Sequence, residues 1–240
     1  MRPNPETIPE TSDRAQDPDD DADTAGTRVL IVDDHAAFAE PLAAVLGLQN
    51  DMDCAGIAGR CDEAVKMAED LRPDVVLMDV QLPDADGIEG SRKIKEVSPH
   101  SRVLILTAYS DVEVMARAAA AGAAGFIPKE TPLADILHAI RTAREGGMLV
   151  EGNSLSALLA HIRSVDEPRP SPRAVDLTPR EFEVLTLMGE GKDAQTIARL
   201  LGITVLTCRG HIKKIHSKLG VHSQLEAVVT AMRMGILSAP

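Results

Sequence analysis

Five polar residues stand at the ends of short apolar runs. Asp33 and Asp34 follow Val29–Val32, Asp79 follows Val75–Met78, Thr107 follows Val103–Leu106, and Lys129 closes the weaker run Ala124–Pro128. If these runs are neighbouring strands of one sheet, three carboxylates, a hydroxyl and an amine meet at one rim. Gathered carboxylates repel one another, so such a cluster calls for a cation. Oxygen ligands with positions left for water suit Mg²⁺, which takes one or two carboxylates and then a phosphate oxygen. A phosphoryl group brought to Asp79 would meet the metal, the Lys129 ammonium and the Thr107 hydroxyl, an arrangement that stabilises its charge during transfer. An Asp after a strand is often only the N-cap of the next helix. That explains Asp34 or Asp79 singly, but not polar residues at four strand ends together.

The elements that must position this set are legible. Runs rich in Val, Ile and Leu suit strands buried on both faces of a parallel sheet, with Asp53–Ala58 as a weaker fifth. Helix-length segments alternate with them at His35–Leu46, Asp62–Leu71, Ile88–Val97, Asp111–Ala121 and Pro132–Arg144. Five strands alternating with five helices predict a doubly wound, flavodoxin-like α/β domain with its ligand site at the carboxyl ends of the strands.

These residues resemble the receiver domain of bacterial response regulators over residues 28–145. The resemblance rests on Val29–Asp34, on Leu77-Met78-Asp79 followed by Leu82-Pro83 and Asp86-Gly87, on Leu106-Thr107-Ala108, and on Phe126 ahead of Lys129. It implies that Asp79 is the phosphoacceptor, supplied by a sensor histidine kinase. It implies that Asp33, Asp34, Asp79 and the backbone carbonyl of Gln81 hold Mg²⁺. Thr107 and Phe126 would be the switch pair, with Lys129 beside the phosphoryl. Many receivers place Pro after the Lys; here Glu130 follows and Pro128 precedes, which leaves open whether a peptide bond there is cis.

A second domain is expected over residues 177–240. Thr178 is a good N-cap with Pro179 in the first turn. Asp193–Leu201, then Gly202-Ile203-Thr204, then Val205–Leu219 read as helix, turn, helix. Cys208, Ile212, Ile215 and Leu219 form a buried stripe, leaving Arg209, Lys213, Lys214 and His216 for the outer surface. Leu177-Thr178-Pro179-Arg180-Glu181, Leu201-Gly202-Ile203, Thr207, His211-Ile212 and Lys218–Val221 closely resemble the LuxR/NarL-type DNA-binding domain. The resemblance makes Val205–Leu219 the recognition helix in the major groove. Thr207, Arg209, His211, Lys213 and Lys214 are its candidate DNA contacts. By that resemblance Arg209 would read a base, and Lys213 and Lys214 would contact phosphates. The last helix, Gln224–Met234, would carry dimer contacts through Leu225, Val228, Val229 and Met232. Two departures stand out: Val205-Leu206 is apolar where polar contacts are commoner, and Gly210 lies inside the helix.

Composition sets the limits. The net charge of −12 looks wrong for a DNA binder until it is divided: residues 1–27 carry −6, whereas residues 176–240 carry +2. From Ala194 to Leu225 there is no acid at all. Phosphate binding needs such a local field, not a basic protein overall. Three Phe, one Tyr and no Trp leave little with which to stack unpaired bases, so duplex DNA is the expected partner. The three cysteines are scattered and fit small buried residues better than a metal site. Residues 1–27 read as a disordered acidic tail. Residues 148–176 read as a linker, with a short helix near Asn153–Arg163 presenting Leu155, Leu158, Leu159 and Ile162. No apolar run is long enough for a membrane span, so a cytoplasmic protein is expected.

Together these features predict an α/β receiver followed by a small all-α helix-turn-helix domain. The chain would be a phosphorylation-controlled transcriptional regulator, a homodimer when active, and not an enzyme. Two rival readings fit less well. A phosphohydrolase with Asp79 as nucleophile commonly carries a second Asp two residues on, where this chain has Gln81. A receiver that no kinase uses would not require so complete a site.

Overall fold

A computed structural model of the chain describes residues 26–107, 111–150, 152–165 and 175–237. Most of the acidic tail, Ala108 and most of the Pro-rich segment after residue 165 lie outside these residues.

Strands β1 (Thr27–Val32), β2 (Met52–Ala58), β3 (Val75–Asp79), β4 (Arg102–Thr107) and β5 (Gly125–Pro128) form one parallel sheet in the order β2-β1-β3-β4-β5. Helices α1 (Ala36–Leu46), α2 (Cys61–Leu71), α3 (Gly87–Val97), α4 (Val112–Ala120) and α5 (Leu133–Arg144) connect and follow them. β3 is buried along its whole length because helices cover both faces of the sheet, which is why its sequence is a continuous apolar run rather than an alternation. One face packs on Leu42, Leu46, Ile136 and Ile140, the other on Ala64, Ala68 and Ile94. The peptide bonds of the described residues are all trans.

Two local features hold the strand ends in place. Gly87 N donates to Val80 O at 2.8 Å, and a Cβ on Gly87 would lie 1.8 Å from Asp79 O. Only glycine lets the chain fold back this tightly under the end of β3. Beyond α5 the chain turns through Gly146, at φ +81°, and runs back beside β5. Phe126 N donates to Leu149 O at 3.0 Å, so residues Met148–Val150 cover that edge of the sheet. The start of the expected linker is therefore part of the α/β domain's edge.

The helix expected in the linker is longer than expected and is not a spacer. Helix α6 (Gly152–Val165) buries Leu155, Leu158, Leu159 and Ile162 in a core shared with the helices that follow. Those are α7 (Pro179–Gly189), α8 (Ala194–Leu201), α9 (Val205–Leu219) and α10 (Gln224–Arg233). Thr178 and Glu181 form a reciprocal capping box at the start of α7. Asp193, Thr204 and Ser223 cap α8, α9 and α10 with side-chain oxygens. Gly202 and Gly220 end α8 and α9 at positive φ. Among the described residues no helix is long and apolar enough to cross a membrane.

Candidate functional site

The sheet order reverses between β1 and β3, and the crevice at their carboxyl ends is where ligands of doubly wound folds bind. A cavity of about 730 Å³ opens there, lined by Asp79, Thr107, Lys129 and Gln81 together with His35 and Phe38. Asp33 and Asp79 are almost fully buried. Lys129 Nζ lies 2.7 Å from Asp79 Oδ2 and 2.7 Å from Asp33 Oδ2. Burial opposes the charge of Lys129, but its close contacts with Asp33 and Asp79 and the charges of these carboxylates outweigh that and raise its pKa. Lys129 N also donates to Thr107 O at 2.9 Å, which ties the ends of β4 and β5 together. Gln81 N donates to the other oxygen of Asp79 at 3.2 Å.

The residues present fit a divalent cation. Ligand atoms of Asp33, Asp34, His35 and Asp79 all lie within 4.8 Å of one another. Asp33 Oδ2 is shielded from solvent and meets Lys129 ionically, without a well-directed hydrogen bond. Such an oxygen is costly to bury unless a positive charge faces it.

Sequence reasoning gave His35 only a place at the start of α1. Its Nδ1 lies 3.1 Å from Asp33 Oδ1 and 2.9 Å from Asp34 Oδ1, so it belongs to the acidic cluster. The signal was its position directly after the acidic pair. Phe126 is partly buried, on β5, and packs against both the sheet core and the core of the C-terminal helices.

In the C-terminal domain, Thr207, Arg209, Lys213 and Lys214 are exposed on α9, with Thr207 Oγ1 2.8 Å from Thr204 Oγ1. Three of the expected positions sit differently in this structure. His216 does not face solvent: it is largely enclosed, and burial, then Arg102, His222 and Lys95, lower its pKa to about 4. His211 is only half-exposed, and its Nδ1 is shielded without a partner, so α9 does not present that atom outward. Leu225, Val228 and Val229 are fully buried and Met232 partly so, inside the chain's own core. α10 packs against α4, α6, α7 and α9, because its apolar stripe finds cover within the same chain. In this form the stripe offers no dimer surface.

The two domains are joined by directed contacts. Arg209 Nη2 pairs with Glu145 Oε2 at 2.8 Å, and Ser223 Oγ donates to Ala123 O at 2.8 Å. Gln224 Nε2 donates to Gly146 O at 2.6 Å, and Arg102 Nη1 to His222 O at 2.6 Å. Met115, Ala116 and Ala119 of α4 complete the C-terminal core.

Comparison with known proteins matches both halves. Residues 29–141 fit the response regulator receiver domain, and residues 175–231 fit the bacterial regulatory proteins of the luxR family. The transcriptional regulatory protein LiaR of Bacillus subtilis is 36% identical over 209 residues, covering 86% of this chain and 97% of that protein. The chain is a LuxR-family response regulator. The response regulator protein VraR of Staphylococcus aureus is 33% identical over 210 residues, covering 88% of this chain and 98% of that one. A solved two-component response regulator of the LuxR family from Aurantimonas superposes with a TM-score of 0.53 at 26% identity, over 57% of this chain and 98% of that one. Like other members of its family, this response regulator combines a receiver fold with a LuxR-type DNA-binding domain and acts in transcription regulation.

Proposed function

We propose that this response regulator accepts a phosphoryl group on Asp79 from a sensor histidine kinase, with Mg²⁺ bound, and that acceptance releases its C-terminal domain to bind duplex DNA. The observation that carries this reading is Lys129 Nζ at 2.7 Å from both Asp33 and Asp79 in the crevice at the switch point. An oxygen of the Asp79 carboxylate attacks phosphorus, the O–P bond forms, the N–P bond of the kinase phosphohistidine breaks, and the imidazole leaves to take up a proton. Lys129 stabilises charge on the phosphoryl oxygens, and Gln81 N holds the second Asp79 oxygen. Asp33, Asp34, Asp79 and the Gln81 carbonyl would hold the cation, which supplies charge neutralisation between carboxylates and phosphate when bound.

The switch runs through Thr107, whose hydroxyl turns toward the phosphoryl, and Phe126, which bears on both cores. Thr107 and Phe126 stand on β4 and β5, on either side of α4 in the chain, and α4 contributes to the core of the DNA-binding domain. Phosphorylation biases this shared packing toward separation. Once Arg209 leaves Glu145, it reads a base while Lys213 and Lys214 meet phosphates. An active homodimer through α10 requires α10 to leave α4 and α6 first. Residues 28–147 then serve as the receiver and 177–240 as the DNA-binding unit, working in the cytoplasm. Selection of duplex DNA with and without a small acyl phosphate tests the reading. Sequence enrichment should depend on the phosphodonor in the wild type and not in Asp79→Asn.

A further inference from the structure

Leu206 is 81% exposed, in the first turn of α9, and lies uncovered among the described residues. A lone exposed leucine is ordinary on a protein surface; Leu48, 80% exposed after α1, is such a case. Leu206 differs in its surroundings. At helical spacing it shares one face with Arg209, Gly210 and Lys213, all exposed, within a stretch that contains no acid. Gly210 has no packing reason among the described residues: a Cβ there would meet nothing of theirs within 4 Å. Glycine in a helix interior is unfavourable relative to alanine, so open space inside the chain does not account for it. The face therefore carries a projecting apolar group, a bare stretch of backbone one turn later, and cations beside both.

A basic helix face of this kind fits the major groove, where residues near the helix N-terminus contact base edges. The one methyl group that the bases present on the groove floor is the C5-methyl of thymine. We propose that Leu206 is a specificity-determining residue that packs on a thymine methyl in each half-site, and that Gly210 lets α9 approach closely enough for that contact. This rests on the DNA-binding reading above and adds to it a base preference that Arg209, a guanine reader by its donors, does not supply.

The test uses the full chain with Mg²⁺ and a small acyl phosphate, first to select duplexes from a random pool. Each thymine of the selected half-site is then replaced in turn by deoxyuridine, which removes only the methyl. At one position the wild type should lose about fourfold in affinity, the effect of failing to bury one methyl-sized group. Leu206→Ala should bind more weakly and be indifferent to that replacement, with unchanged binding to unrelated duplex; the side chain touches no core, so folding is kept. Gly210→Ala should weaken binding and reduce the same sensitivity. Equal deoxyuridine sensitivity in wild type and Leu206→Ala, or none in the wild type at any thymine, overturns the proposal. So does a Leu206→Ala variant altered only in self-association. If no duplex is enriched or bound by any variant, the DNA-binding reading itself fails, an outcome distinct from these.

Discussion

Arg209, on the helix proposed to enter the DNA groove, is held 2.8 Å from Glu145 at the end of the last receiver helix. The same face of the receiver receives Ser223, Gln224 and the backbone of His222. On the proposed reading Arg209 must leave this carboxylate before it reads a base, so the domain contact and the DNA contact exclude each other. The ion pair is partly exposed, so it contributes at most about 1 kcal/mol. Most of the restraint comes from α4 and α10 packing in one core.

Glu145→Gln should therefore leave stability almost unchanged and raise DNA affinity of the unphosphorylated chain by a few-fold. Electrophoretic mobility shifts against the selected duplex, without phosphodonor, check this. Affinity identical to wild type would contradict a restraining role for the pair.

Leu158 of α6 is fully buried between the receiver's α4 and the C-terminal helices. Leu158→Ala should cost about 2–5 kcal/mol as the lost methyl groups leave a cavity. Urea denaturation of the full chain measures it. A loss well below 1 kcal/mol would mean that α6 is a detachable spacer.

How far the sequence carried depends on what kind of contact held each part. Val75–Met78 is a strand buried on both faces, and a continuous apolar run states this directly. Thr178 and Glu181 announce their helix start through side-chain chemistry at fixed spacing. The crevice was legible because parallel strands all end on one rim, so Asp33, Asp79, Thr107 and Lys129 had to meet. The domain contact was not. Ser223, Gln224 and Arg102 bond to backbone carbonyls, which every residue carries, so nothing marks the acceptor in sequence. The stripe of α10 signals burial but not what covers it, and α4 of the same chain does so. His216 looked outward by periodicity, yet the receiver closes over it.

Acid should loosen this arrangement. Burial, with Arg102, His222 and Lys95 alongside, places the His216 pKa at about 4, below its ordinary value of 6.5. The unfolded chain then binds more protons in that window, so stability is present above about pH 6.5 and is lost as pH falls toward 4. The upper bound is about 3 kcal/mol. Glu226, raised by burial, takes its proton more readily in the folded chain and offsets part of the loss. Thermal unfolding from pH 7 to 4 should show a shallower fall for His216→Gln than for wild type; parallel curves would contradict the assignment.

Lys129 is the cation that faces Asp33 and Asp79 in this structure. Lys129→Met leaves those buried carboxylates facing one another. The variant should unfold at lower temperature without divalent ions, and Mg²⁺ should raise its Tm by more than that of the wild type. Equal Mg²⁺ shifts in the two proteins would show that the ion does not engage this cluster.

Asp79 is the residue proposed to take the phosphoryl group. The direct measurement is the intact mass of the full chain after incubation with a small acyl phosphate, with Mg²⁺ and with chelator, for wild type and Asp79→Asn. The wild type should gain the mass of one phosphoryl group, only with Mg²⁺ and labile to hydroxylamine as an acyl phosphate is, and Asp79→Asn should gain none. Undiminished uptake by Asp79→Asn would contradict that assignment.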